Sequence, residues 1–270
     1  MQALFPQPLT ICMNKLLCTV LLSALPLSGM AQVVQSGDWF DDMAKDADRF
    51  YTRDRLTRLG VAMGVGAVVA NTNADQSIQN SIQAGRNSGT DSFSTSVKQI
   101  GEWKYMLPIS WGISALLPKD NGGLQTWGNL TLRSIVVGTP STLIGQRLAG
   151  ASRPNEEGVA VPDSKWRPLQ DDNSVSGHSF VGAIPFLAMA ELNPNSIGLK
   201  TLGYAASFAV PFSRVNDNDH YPSQAALGWF MAYESVQTVM EGGKRKATAL
   251  RIVPIQMAHG QLGLGLQKSW

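Results

Sequence analysis

The chain has 270 residues, of which 44% are hydrophobic and 16% are charged, which is enough apolar material for one sizeable globular core. Twenty-two Lys and Arg residues against twenty Asp and Glu residues give a formal net charge of only +2. Because no basic run is longer than Lys244-Arg245-Lys246, the charge pattern offers no extended electrostatic surface for nucleic acid, and we exclude that class of partner.

The N-terminal segment has the features of an export signal. A basic start at Lys15 precedes the apolar stretch Leu16–Leu27, and a small-x-small cleavage site ends at Ala31. We therefore predict a signal peptide over residues 1–31, in which residues 1–12 are an upstream extension or part of a longer signal. The mature protein is predicted to be periplasmic or secreted.

The chain after residue 31 has no cysteine and no obvious membrane span. Cys12 and Cys18 both fall inside the predicted signal, so the exported protein would have no disulfide and no cysteine metal site. The nearest candidates for a span, Leu59–Ala74 and Asn173–Ala190, are interrupted by polar residues and are predicted to be core helices. A shallow association with a membrane stays open.

The first elements of the mature chain are predicted to be helical and then irregular. Asp38–Arg58 has the spacing of an amphipathic helix on the surface of a larger body. The glycine-rich run Gly60–Ala70 has small apolar neighbours and no following Lys-Ser/Thr, so it predicts close helix packing rather than a phosphate loop. Asn71–Ser96 is rich in small polar residues and predicts loops or a short polar helix.

Five apolar blocks follow, each long enough for a helix: Tyr105–Leu117, Leu132–Leu148, Phe180–Leu192, Leu199–Phe212 and Ala225–Met240. Prolines are expected to punctuate these helices, at positions 108, 118, 140, 154, 185, 194 and 211. The economical architecture is one all-α helical bundle over residues 32–245.

The tail has a different pattern. Over residues 246–270 apolar and polar positions alternate on both sides of His259, which predicts a short C-terminal β-hairpin appendage. His259 falls at the predicted turn, where we expect it to have no chemical role.

Three separated patches place the other two histidines among arginines. They are QRLAGASRP (Gln146–Pro154), SVSGHSF (Ser174–Phe180) and SRVNDNDHYPSQ (Ser213–Gln224). Their order and internal spacing resemble the three-part signature of the type 2 phosphatidic acid phosphatase (PAP2) superfamily, which includes class A acid phosphatases and vanadium haloperoxidases. That signature is Lys, six residues, Arg-Pro; then Pro-Ser-Gly-His; then Ser-Arg, five residues, His, three residues, Asp. The resemblance implies a bundle of the PAP2/haloperoxidase type.

The resemblance also implies roles for individual residues. His220 matches the nucleophile and His178 the general acid and base. The phosphate-binding positions are matched by Arg153, Arg214, Ser176 and Gly177. Two positions depart from the signature, because Gln146 stands where Lys is expected and Gln224 stands where Asp is expected.

Elementary chemistry supports these roles. Phosphoryl transfer spreads negative charge over three equatorial oxygens, and the planar, permanently charged guanidiniums of Arg153 and Arg214 suit them. The backbone N–H groups of Ser176 and Gly177, with the Ser176 hydroxyl, are predicted to add further donors. No metal and no cofactor is predicted.

Gln224 is predicted to orient His220. If the residues after His220 begin a helix, Gln224 lies one turn later, and its side-chain oxygen can accept the imidazole N–H. Glutamine supplies no negative charge, whereas charge-assisted hydrogen bonds are roughly twice as strong as neutral ones, so we expect slower chemistry.

Gln146 keeps an amide donor but removes a cation from the phosphate site. Candidate substitutes are the nearby cations Arg147, Lys165 and Arg167. Asp217 and Asp219 precede His220 and are predicted to be turn residues whose side chains cap backbone N–H groups.

The favoured function is an exported, metal-independent phosphomonoesterase that acts through phosphohistidine on a lipid phosphate or a small organic phosphate. One alternative is a vanadate-dependent haloperoxidase-like enzyme, because vanadate copies the phosphoryl transition state. Another is a degenerate, non-catalytic envelope protein that binds phosphate groups, motivated by the two glutamines. The oligomeric state stays open.

Overall fold

The computed structural model describes residues 38–119, 123–155, 163–247, 250–256 and 262–268. Five helices form its N-terminal part: α1 (Trp39–Phe50), α2 (Arg53–Ala70), α3 (Asn73–Ala84), α4 (Ser88–Val97) and, after a 3-10 turn at Lys98–Gly101, α5 (Trp103–Leu116). Five more follow: α6 (Leu124–Ala149), α7 (Gly177–Leu192), α8 (Ile197–Ala206), α9 (Ala209–Asn216) and α10 (Pro222–Ala247). The described residues of the main body are therefore all-α, as the sequence predicts.

Helix α7 lies at the centre of the bundle. Every residue from Ser179 to Leu192 is buried, and α7 packs against α6, α8, α9 and α10. Its sequence is apolar on all sides, which is typical of a helix with no solvent-facing surface. The Ser176 hydroxyl begins the helix by accepting the N–H of Ser179. Any residue in its first turn is thereby held rigidly at the edge of the core.

Buried ion pairs attach the N-terminal helices to this core. Arg133 of α6 is 2% exposed and donates through Nε to Asp46 of α1 at 2.7 Å. Arg55 of α2 pairs with Glu234 of α10, and both side chains are buried. A guanidinium buried in this way requires its carboxylate partner, because the unpaired charge would be strongly destabilising.

Several local predictions were wrong. The amphipathic segment Asp38–Arg58 contains the break between α1 and α2. The polar segment Asn71–Ser96, predicted to be loops or a short polar helix, forms all of α3 and all but one residue of α4. Pro108, Pro140 and Pro185 lie inside helices rather than between them. Packing of these segments against the core outweighs their weak local preferences.

The glycine-rich run packs closely at one point only. A Cβ at Gly66 would lie 2.7 Å from Leu227 of α10, whereas Gly60 and Gly64 have nothing within 4 Å of such an atom. The prediction of close packing is therefore confirmed at Gly66. It is wrong for Gly60 and Gly64, which lie on the outer face of α2.

Two strands follow α10, β1 (Leu250–Gln256) and β2 (Leu262–Lys268), and they pair antiparallel. The connecting residues, His259 among them, and the predicted signal over residues 1–31 lie outside the described residues. The independence of the tail as an appendage stays a prediction.

Candidate active site

A cavity of about 240 Å³ opens at the N-terminal end of α7. All three sequence patches contribute to its wall, which includes Gln146, Arg153, Gly177, His178 and His220. The first and last of these residues are 74 positions apart, so only the packing of α6, α7 and α10 with their loops brings them together. The remaining predicted residues, Gln224, Arg214 and Ser176, are buried and are not among the described residues of this wall.

His220 is held in the loop between α9 and α10, and only 2% of it is exposed. Its backbone N–H donates to the carbonyl of Arg214 at 3.1 Å. Its Nδ1 lies 2.8 Å from Oε1 of Gln224, in the first turn of α10. This is the hydrogen bond expected from the one-turn spacing of the two residues.

The surroundings of Gln224 fix the tautomer of His220. The Oε1 of Gln224 also accepts the N–H of Tyr221 at 3.1 Å, and its Nε2 donates to the carbonyl of Ser152 at 2.8 Å. The amide can therefore be oriented in only one sense, with its oxygen towards the imidazole. It follows that Nδ1 of His220 carries the proton and that Nε2 keeps a free lone pair.

Burial keeps His220 neutral. Loss of hydration lowers the pKa of His220 to about 3, against which the hydrogen bond to Gln224 acts only in part. The positive charges of Arg153 and Arg214 and the neighbouring His178 lower this pKa further. At neutral pH the ring is an uncharged base with one free lone pair on Nε2, which is the form a nucleophile requires.

His178 lies in the first turn of α7 and is partly open to solvent. Its Nε2 is 3.3 Å from Oε1 of Glu102, the residue immediately before α5. Burial and the charge of Arg214 lower the pKa of His178, whereas the Glu102 carboxylate raises it. The two histidines thus have different partners, a neutral amide for His220 and a carboxylate for His178.

The two predicted arginines are held by polar side chains. Nε of Arg153 donates to Oδ1 of Asn173 at 2.6 Å, and Nη2 of Arg214 lies 2.6 Å from Oδ2 of Asp219. Arg214 is buried, and its Nε has no hydrogen-bond acceptor among the described residues. Its positive charge lowers the pKa of both histidines.

The prediction for the Ser176 N–H was wrong. This N–H donates to the backbone carbonyl of Gln224 at 2.9 Å, and the Ser176 Oγ accepts the N–H of Ser179. The backbone of Ser176 therefore joins α7 to α10 and is not available to an anion. Gly177 and His178, whose first-turn N–H groups have no acceptor within the helix, line the cavity instead.

Gln146 is already engaged by the backbone, since its Nε2 donates to the carbonyl of Val175 at 2.8 Å. None of the three candidate substitutes for its missing charge is among the described residues that line the cavity. Of these, Arg167 instead pairs with Asp163 at 2.9 Å. Arg153 is thus the cation that the described cavity wall contains.

The aspartates before His220 form ion pairs, so the prediction that they cap backbone N–H groups was wrong. Asp217 accepts from Lys98 at 3.2 Å, and Asp219 pairs with Arg214. The sequence analysis also missed Glu102 and Asn173. Glu102 is 76 residues from His178 and Asn173 is 20 residues from Arg153, and neither belongs to a spacing that could reveal the contact.

No family model matches the chain, and no curated protein matches it. Among solved structures, it is similar to the crystal structure of a transmembrane PAP2-type phosphatidylglycerolphosphate phosphatase from Bacillus subtilis. The two are 19% identical with a TM-score of 0.51, over 70% of this chain and 96% of that one. This similarity confirms a PAP2-type fold. Within the described ranges, no helix is both long enough and apolar enough to span a bilayer.

Proposed function

We propose that the protein is a phosphomonoesterase that acts through a phosphohistidine intermediate on His220 and needs no metal or cofactor. The observation that carries this proposal is the meeting of His220, His178 and Arg153 at one cavity, with His220 buried, neutral and fixed in the Nδ1–H tautomer by Gln224. The PAP2-type fold supports it.

The proposed reaction has two steps. The lone pair on Nε2 of His220 attacks phosphorus while the P–O bond to the alcohol breaks, and His178 gives a proton to the departing oxygen. Neutral His178 then takes a proton from water, which attacks the phosphohistidine and releases inorganic phosphate. Arg153 and Arg214, with the N–H of Gly177, would stabilise the charge on the equatorial oxygens. The orphaned Nε of Arg214 suits an anion oxygen as its acceptor.

The rim of the cavity favours a lipid phosphate over a small organic phosphate. Trp103 and Leu143 line the cavity and are 52% and 48% exposed. Further along the same two helices, Trp111 and Leu148 are 59% and 58% exposed. Tryptophan is enriched at the interface of a bilayer, so an exposed tryptophan on the cavity wall suits a lipid substrate. We therefore propose that the exported protein meets its substrate at a membrane surface.

Phosphate release from vesicles containing phosphatidic acid, compared with p-nitrophenyl phosphate, tests the proposal. We expect His220→Ala to abolish turnover of both, and His259→Ala, the third histidine, to leave it unchanged. Quenching ³²P-labelled substrate with alkaline detergent should trap an adduct that is stable in base and lost on acidification.

Other outcomes identify the alternatives. Retention of turnover in His220→Ala would refute the role of His220 as the nucleophile. Halide oxidation with vanadate, without phosphate release, would indicate a haloperoxidase. Binding of phosphate groups without turnover of any ester would indicate the degenerate protein, which the engagement of Gln146 by a backbone carbonyl favours. A preference for soluble esters over vesicles would exclude the lipid substrate.

A further inference from the structure

The 3-10 turn Lys98–Gly101 packs directly on the start of α7. A Cβ at Gly101 would lie 2.8 Å from the carbonyl oxygen of His178 and 3.2 Å from its Cβ. Glycine therefore allows the two backbones to approach closely at this point. The next residue, Glu102, is placed so that its carboxylate oxygen lies 3.3 Å from Nε2 of His178. Glu102 lies outside the three sequence patches.

We propose that Glu102 is a positioning residue that favours the protonated form of His178, from which a proton passes to the leaving group. The proposal rests on the proposed phosphatase function. Glu102 acts only through His178, because the proton passes from the imidazolium to the departing alkoxide and later returns from water to the imidazole. The carboxylate itself stays ionised throughout.

Without a carboxylate, the surroundings of His178 would favour the neutral ring. Burial and the guanidiniums of Arg214 and Arg153 disfavour a positive charge on His178, and burial is the largest cause of the lowering of its pKa. The Glu102 carboxylate is the group that raises the pKa of His178. A general acid is efficient only when enough of it is protonated at the working pH.

Glu102 is itself suited to remain an anion. Burial raises the pKa of Glu102, but the hydrogen bond and charge of His178, together with the Lys104 ammonium 3.6 Å from the other carboxylate oxygen, bring it below its usual value. At 3.3 Å the contact with His178 is a loose ion pair. It therefore supplies charge without holding the proton of Nε2 tightly.

The test compares leaving groups in Glu102→Gln, which keeps the size of the side chain. A nitrophenolate leaves without a proton, whereas an alkoxide requires one, and general acid catalysis is worth about 10²–10⁴-fold. We expect turnover of an alkyl phosphate to fall at least about tenfold and turnover of p-nitrophenyl phosphate to change by less than about threefold. The alkaline limb of the pH profile for the alkyl ester should move to lower pH.

Asp172→Asn is the matched control, because Asp172 also lines the cavity and its replacement removes a negative charge without touching the Glu102–His178 pair. It should affect both substrates alike. Equal losses on both substrates in Glu102→Gln, or no loss on either, would overturn the proposal.

A second measurement is independent of turnover. An NMR titration should show a lower pKa for His178 in Glu102→Gln than in the wild type, with the signal assigned from His178→Asn. An unchanged pKa would overturn the inference even if the wild type hydrolyses no phosphate ester. Absence of turnover in the wild type, with the expected shift in pKa, would instead refute the proposed function alone.

Discussion

Replacing Gln224 with methionine, which has a similar size, tests how His220 is prepared for attack. The substitution removes the acceptor of the His220 Nδ1–H and of the Tyr221 N–H and the donor to the Ser152 carbonyl. Three hydrogen bonds at about 1 kcal/mol each predict a loss of about 3 kcal/mol in the free energy of unfolding.

The same change has a kinetic consequence that can be estimated. A buried Nδ1–H without an acceptor costs about 1–3 kcal/mol, so the proton of His220 should move to Nε2, the nitrogen that attacks. A cost of that size lowers the population of the reactive tautomer by about 5–150-fold. Phosphohistidine formation should slow by the same factor, with little change in the binding of substrate.

The tautomer can be observed directly by ¹⁵N NMR of the imidazole nitrogens in protein labelled at histidine. The wild type should show a protonated Nδ1 and a bare Nε2 on His220, and Gln224→Met should show the reverse. The reasoning would be refuted by an Nε2–H tautomer in the wild type, or by a variant that keeps both its tautomer and its rate of adduct formation.

Two further predictions concern stability. Because burial holds the pKa of His220 at about 3, below the ordinary value of 6.5, the unfolded chain binds a proton that the native state excludes. The free energy of unfolding should therefore fall as pH drops from 6.5 towards 3, by at most on the order of 5 kcal/mol, and His220→Gln should flatten this dependence in urea titrations. Gly228→Ala should lose about 1–3 kcal/mol and most turnover, because its Cβ would lie 2.2 Å from the carbonyl oxygen of Ser176. Gly64→Ala, whose Cβ meets nothing within 4 Å, should gain up to about 1 kcal/mol; equal effects at both glycines would contradict this account.

The contact between His220 and Gln224 was predictable because it is local. Four residues along a helix place two side chains on one face, whatever the rest of the molecule does. The long apolar blocks were equally informative, since α7 and α10 contain the predicted segments Phe180–Leu192 and Ala225–Met240 in full. The order of the three patches was sufficient to predict the PAP2-type fold that the structural similarity confirms.

Segments with weak local preferences were not predictable in the same way. The polar residues of α3 suggested loops or a short polar helix and gave no sign of burial. Asp75 and Gln79 are nevertheless buried, and Asp75 accepts both the N–H and the hydroxyl of Ser223 at the start of α10. The polar side chains of Asp75 and Gln79 thus form hydrogen bonds with Ser223 and the Val215 carbonyl, on either side of His220 in the chain. A single sequence does not distinguish such buried polar contacts from solvent-facing ones.

The amino-acid sequence by itself determined which residue types could carry phosphoryl chemistry, the helical class of the fold and the local pairing of His220 with Gln224. Those properties depend on composition and on spacings within a few helical turns. Only the tertiary structure decided that the Ser176 N–H is occupied by Gln224, that Arg214 is balanced by Asp219 and that Glu102 reaches His178. Apart from the pairing of Arg214 with Asp219, which depends on the turn between them, these contacts join segments far apart in the chain. Their geometry follows from the packing of α5, α7 and α10 rather than from any local pattern.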